Sequence, residues 1–211
     1  MAVDGPGGVG KSTVSRLVAE NLGAAHLDTG AFYRAATLVV LEDGADPTDA
    51  VAVMRAWGRR DISQRNGSTF VDGRDVSKEI RTEEVTAAVS VVAAHLELRA
   101  RMVDAQRRWV AEREGPAVVE GRDIGSVVFP DAKVKVYLDA HPKVRARRRS
   151  RELGAEAQVV AKALHARDRV DSSRAVSPLV AASDAVLIDT TDLSIDQVVT
   201  EVMDLVHARL S

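Results

Sequence analysis

Gly5-Pro6-Gly7-Gly8-Val9-Gly10-Lys11-Ser12 satisfies the pattern G-x-x-x-x-G-K-[ST] at every constrained position. Glycines at this spacing let backbone N–H groups converge on phosphate oxygens. A helix starting at Lys11 would add the positive end of its dipole. In such a loop Lys11 bridges the β- and γ-phosphates, and the Ser12 hydroxyl reaches Mg²⁺. The expected contacts to the bound triphosphate run from Gly5 through Ser12 to Thr13. A glycine-rich turn that binds nothing is the alternative, and the full match between a strand end and a helix pattern weighs against it. The loop implies a nucleoside triphosphate but not a reaction. A GTPase needs a guanine-reading Asn-Lys-x-Asp, which the sequence lacks, and motors and helicases carry further ATPase motifs on longer chains. A kinase of a small molecule fits better.

The elements that must position this loop alternate. Met1 to Asp4 reads as the end of a strand and Lys11 to Leu22 as a helix. Ala25–Asp28 is a short strand and Ala31 to Glu42 a helix. Ala117–Glu120, Val134–Leu138 and Ala185–Asp189 are further strands, and Ile195 to Leu210 is an amphipathic helix. Apolar strands separated by helices predict a parallel sheet covered on both faces. Asn66-Gly67 and Asp72-Gly73 favour tight hairpin turns, so a small antiparallel insertion is expected between Asp61 and Arg81. Arg145, Arg147, Arg148, Arg149 and Arg151 place five guanidinium groups within seven residues.

Composition narrows the classes. At 211 residues, 45% of them hydrophobic, the chain can bury a core as one domain. Lys plus Arg (29) nearly balances Asp plus Glu (31), for a net charge of -2. That argues against a main role on nucleic acid or an acidic membrane. Only six of the cations are Lys and 23 are Arg. Arg grips phosphate through a planar fork, although GC-rich coding produces the same bias. The two Trp and two Tyr form no stacking ladder for nucleic acid, and core packing accounts for Trp109. Absence of Cys excludes disulfides and thiolate chemistry and makes a cytoplasmic location the expectation. No stretch approaches the ~18 apolar residues of a membrane span. Met1-Ala2-Val3 is too short for a signal peptide, and with the first motif at Gly5 a few native residues are expected ahead of Met1.

Several segments resemble the bacterial cytidylate kinases. Leu27-Asp28-Thr29-Gly30-Ala31-Phe32-Tyr33-Arg34 is similar to their acceptor segment D-[ST]-G-A-x-Y-R. Gly121-Arg122-Asp123-Ile124-Gly125-Ser126-Val127-Val128-Phe129-Pro130-Asp131-Ala132 resembles G-R-D-x-G-[ST]-V-V-F-P-D-A. Arg174-Ala175-Val176-Ser177-Pro178-Leu179 is similar to R-A-x-x-P-L, and Asp75–Arg81 resembles the insertion of the bacterial enzymes. The resemblance runs from Val3 to about Leu205. It implies an α/β P-loop NTPase fold over residues 1–211: a three-layer sandwich with a five-stranded parallel sheet. It further implies a small acceptor-binding insertion at 31–115 and a short lid at 143–156.

The same resemblance implies ATP-dependent phosphorylation of CMP and dCMP, with Mg²⁺. Thr29, Arg34, Ser90 and Arg99 would surround the CMP phosphate, and Arg167 and Asp171 would lie by its sugar. Arg122 and Asp123 would read the base. A carboxylate accepts from cytosine N4 and a guanidinium donates to N3, whereas uracil reverses both edges. Arg174 and Arg149 would meet the transferring phosphate beside Lys11, and Arg145 would cover ATP. Asp28 and Glu120 are candidate carboxylates toward Mg²⁺ through water. A strand-end salt bridge is the bland alternative for Arg122 and Asp123. Solvated helix ion pairs are the alternative for Arg167, Asp171 and the lid arginines. A monomer is expected, with no nucleic-acid or membrane partner. The competing functions are a P-loop kinase of another small acceptor and a non-catalytic ATP-binding module.

Overall fold

The computed structural model describes residues 1–174 and 176–210. Ala175, within the Arg174–Leu179 segment, and Ser211 lie outside the described residues. In chain order the elements are β1 (Ala2–Asp4), α1 (Lys11–Leu22), β2 (Ala25–Asp28), α2 (Thr29–Glu42), α3 (Ala50–Trp57), β3 (Ile62–Arg65), β4 (Ser68–Val71), β5 (Arg74–Asp75), α4 (Glu83–Val92), α5 (Leu96–Ala111), β6 (Ala117–Glu120), β7 (Lys135–Asp139), α6 (Pro142–Leu153), α7 (Ala157–Ser172), β8 (Val186–Asp189) and α8 (Ile195–Leu210). The chain divides into two compact units, residues 1–26 with 115–211, and residues 27–114.

The first unit is built on the sheet of order β2-β6-β1-β7-β8. Ala2 stands opposite Val119 of β6 and Lys135 of β7, and Val136 stands opposite Val186 of β8, all in parallel register. The central strands β1, β6 and β7 are mostly apolar and buried because both faces are covered. Val3, Val136, Leu138 and Ile188 pack with Val14 and Val18 of α1 and with Val198, Val202 and Val206 of α8. The four-residue spacing on each helix is the stripe that faces the sheet. Such a sheet delivers the carboxyl ends of β1, β6 and β7 to one edge, where open α/β sheets bind ligands.

The second unit is helical apart from the antiparallel sheet β3-β4-β5. Asn66-Gly67 and Asp72-Gly73 adopt positive φ at both positions (51° and 78°, 48° and 81°), so Arg65 pairs with Ser68 and Val71 with Arg74. Residues 31–40 of α2 are buried all along, the apolar side chains together with Arg34 and Thr37. Phe32, Ile80, Leu98 and Met102 fill the middle of this unit.

Candidate functional site

The loop between β1 and α1 owes its path to glycines at strained positions. Gly5 has φ 142°, and a Cβ there would stand 2.1 Å from the Leu138 carbonyl oxygen. Gly8 has φ 79°, and a Cβ would stand 2.8 Å from the carbonyl oxygen of Arg145. No other residue fits either place. Gly10, at φ 93°, precedes the first turn of α1, which no side chain caps. Its N–H groups stay available to an anion.

Lys11 Nζ donates to the Pro6 carbonyl at 2.7 Å. Burial is the main reason its pKa is pushed down to about 7; the neighbouring guanidinium of Arg122 adds to this, and Glu120 opposes it. A cation so disfavoured gains most when a polyphosphate arrives. Ser12 Oγ donates to Glu120 Oε2 at 2.9 Å. Glu120 ends β6, is 3% exposed, and has His26 Nε2 at 3.4 Å. Asp4, at the end of β1, accepts from the N–H groups of Ile124 and Gly125 at 2.8 and 2.7 Å. Burial raises its carboxyl to about 6 despite those bonds. Asp4 thereby fixes the turn that carries Arg122 and Asp123.

Arg122 lies over the loop. Its Nη1 donates to the Gly5 carbonyl at 3.3 Å and to Asp168 Oδ1 at 3.4 Å, and its Nε faces Asp171 Oδ2 at 3.5 Å. Asp123 is 3% exposed, and the residues after it form a π turn, Ile124–Val128. Asp171, buried near the end of α7, also pairs with Arg174 and has Arg167 Nε at 3.9 Å. Arg145 donates to the Gly7 carbonyl at 3.2 Å and pairs with Asp168. Arg122, Arg145, Arg167, Asp171 and Arg174 thus gather beside the loop within the first unit. Arg149 points elsewhere, pairing with Glu152 at 2.8 Å on its own helix.

Two contributors escape sequence reasoning. Asp168 joins Arg122 and Arg145 and lies 3.5 Å from the Gly7 N–H. The available signal is its position three residues before Asp171, on one face of α7. Thr190 accepts from Arg148 at 2.9 Å and donates to the Val9 carbonyl at 3.3 Å, so Arg148 braces the loop from behind.

Thr29, Arg34, Ser90 and Arg99 all fall in the second unit. Thr29 opens α2, whose cap Asp28 accepts from Ala31 N–H at 3.2 Å. Arg34, 7% exposed, donates to the Ile80 carbonyl at 3.1 Å and to Thr86 Oγ1 at 2.9 Å. Arg99, 3% exposed, donates to the Ala93 carbonyl at 3.1 Å and lies 5.1 Å above the Tyr33 ring. Ser90 is half-buried on α4.

Comparisons with known proteins identify the family. A family model described as Cytidylate kinase matches residues 1–208. The protein named Cytidylate kinase in Mycobacterium leprae is 49% identical over 214 residues, covering 99% of this chain and 96% of that one. Its namesake in Streptomyces avermitilis is 47% identical over 99% of this chain and 93% of that one. The solved structure of a gluconokinase from Sinorhizobium meliloti superposes with a TM-score of 0.53 at 16% identity, over 99% and 91% of the two chains. That likeness speaks for the fold alone.

Proposed function

The chain belongs to the cytidylate kinase family, and we propose that the groups gathered at Gly5–Ser12 carry out that family's phosphoryl transfer. The enzyme moves the γ-phosphoryl group of ATP to CMP and dCMP, giving CDP and dCDP. An oxygen of the acceptor phosphate forms the new P–O bond as the bond from the γ-phosphorus to the β–γ bridging oxygen breaks. That oxygen is already anionic, so no strong base is needed. The protein's task is to hold two polyanions in line against their repulsion.

Pro6, Gly7, Gly8, Val9, Gly10 and Thr13, with Gly5, Lys11 and Ser12, are assigned to ATP. Lys11 takes the β- and γ-phosphates, and Arg145, held at Gly7, covers the donor side. Arg174 and Arg149 are assigned to charge on the transferring group. Arg149 must then leave Glu152, which suits a mobile lid over 143–156. The acceptor phosphate is assigned to Thr29, Arg34, Ser90 and Arg99 of the insertion, its sugar to Arg167 and Asp171, and its base to Arg122 and Asp123.

The donor set suits Mg²⁺. Ser12 and Glu120 offer hard oxygens, and among the described residues no group of three or more His, Cys, Asp or Glu would hold a metal alone. Ser12 would bind the ion, with Glu120 reaching it through water. Mg²⁺ there would offset phosphate charge. No helix among the described residues is long and apolar enough to cross a membrane. The proposal is a monomer working on ATP and CMP in the cytoplasm, with no nucleic-acid partner.

The observation that carries this reading is the convergence of Lys11, Arg122, Arg145, Arg167 and Arg174 beside a complete phosphate-binding loop. A coupled ADP-release assay across CMP, dCMP, UMP, AMP and shikimate tests it. Turnover should be fastest with CMP and dCMP. Faster turnover with shikimate or AMP would contradict it.

A further inference from the structure

The second unit contains a cavity of about 650 Å³ for which the phosphoryl-transfer reading has no use. Its size lies in the range of small-molecule sites, roughly 300–1,000 Å³. Its walls come from the end of α3, from β3 and from α5, all within residues 57–113. Arg59, Arg60, Arg65, Arg101, Arg108 and Arg113 border it, against the two carboxylates of Asp61 and Glu112. Arg60 pairs with Asp72 at 3.2 Å, and Arg101 stands 3.9 Å from Glu97. Arg59 and Arg108 make no ion pair among the described residues. Six guanidinium groups around one concavity repel one another, and an anion with several charges relieves that repulsion. Their planar forks match phosphate oxygens better than they match isolated halides.

We infer that this cavity binds a triphosphate chain, free or carried by a nucleoside, and that its occupancy weakens CMP binding. The first part stands on the cavity alone; the second rests on the assignment of Thr29 to the acceptor. Ser63 and Arg65 of the wall flank Gln64. The Gln64 carbonyl accepts from Trp109 Nε1 at 3.0 Å and from Arg113 Nη2 at 3.1 Å. The Gln64 side chain clasps Asp28, accepting from its N–H at 3.1 Å and donating to its carbonyl at 2.8 Å. An anion that draws Arg113 away therefore loosens the strand that holds Asp28, next to Thr29.

Trp57 and Trp109 are the chain's two tryptophans and both border the cavity, so intrinsic fluorescence reports on it directly. Sodium triphosphate and CTP are titrated at constant ionic strength into the wild type and into Arg59→Ala/Arg108→Ala. A saturable change in the wild type, displaced about 10-fold or more to higher concentration in the double variant, supports the site. Equal responses to both probes assign the phosphate chain alone; a response to CTP only assigns the nucleotide. Should the double variant lose its circular dichroism, Arg108→Gln takes its place. No change in the wild type, the same curve in the variant, or an equal change with sodium sulfate would overturn the site. CMP binding measured by calorimetry in the absence of ATP tests the coupling: triphosphate should raise the CMP Kd in the wild type and not in the variant, whose Kd without triphosphate matches the wild type. An unchanged CMP Kd at a triphosphate concentration that saturates the fluorescence would overturn the link through Gln64.

Discussion

Ser12 Oγ donates its hydrogen bond to Glu120 Oε2 across 2.9 Å, tying the first turn of α1 to the end of β6. With its proton directed onto a buried carboxylate, the hydroxyl presents lone pairs to a cation. Outer carboxylates of this kind commonly change metal affinity about 10- to 100-fold. Glu120→Gln should therefore raise the Mg²⁺ concentration for half-maximal activity by about 10-fold while the protein stays folded. A MgCl₂ titration at fixed ATP measures it, and an unshifted midpoint would detach Glu120 from the metal.

Lys11 gives a pH prediction with a definite sign. Its pKa of about 7 leaves it largely neutral at pH 8 without ligand. Phosphates beside it favour the charged form, so ATP binding at pH 8 should take up most of a proton. Calorimetry in buffers of different ionisation enthalpy reads that number. Lys11→Ala should show no such uptake and no turnover, yet fold normally. Uptake equal to the wild type in that variant would place the titrating group elsewhere.

Much of this was legible because local chemistry decides it. The Gly5–Ser12 spacing places a phosphate loop, and Asn66-Gly67 and Asp72-Gly73 place two turns, since few residues accept those φ values. The helices Lys11–Leu22 and Ile195–Leu210 fall where the sequence predicts them. The helix expected from Ala31 begins at Thr29 because Asp28 caps it. What stayed hidden depends on distant partners. Asp168 meets Gly7, Arg122 and Arg145 only after folding, and nothing near it in sequence distinguishes it from a solvated helix acid. Within the arginine run of α6, spacing alone does not separate Arg148, which braces Thr190, from Arg149, which faces Glu152. The arginine-lined cavity was masked by an overall charge near zero.

Asp168 should matter for both stability and donor binding. Its side chain is 16% exposed, and removing it takes the carboxylate from Arg145 and leaves Arg122 with Asp171 as its remaining acidic partner. Breaking a largely buried pair costs about 3 kcal/mol. Asp168→Ala should lower Tm by roughly 6–12 °C and raise the KM for ATP. Scanning calorimetry and steady-state kinetics check both, and wild-type values would remove Asp168 from the support of the loop.

Arg149 separates a lid residue from a surface one. If it swings from Glu152 to the transferring phosphate, Arg149→Ala lowers kcat by about 10-fold or more with little change in CMP KM. Unchanged kcat would leave Arg149 as a helix ion pair.

The central claim is that this enzyme reads cytosine through Asp123. A hydrogen bond from N4 to a buried carboxylate is worth roughly 1.5–3 kcal/mol, about 10- to 100-fold in kcat/KM. Asp123→Ala should lose that much toward CMP and far less toward UMP, whose O4 the carboxylate already repels, while ATP binding without CMP stays nearly unchanged. The deciding measurement is kcat/KM for CMP and UMP on the wild type and on Asp123→Ala. The account predicts that the CMP-to-UMP preference collapses in the variant. A preference unchanged from the wild type, with both substrates weakened alike, would contradict it and leave Asp123 as a structural residue of the turn after β6.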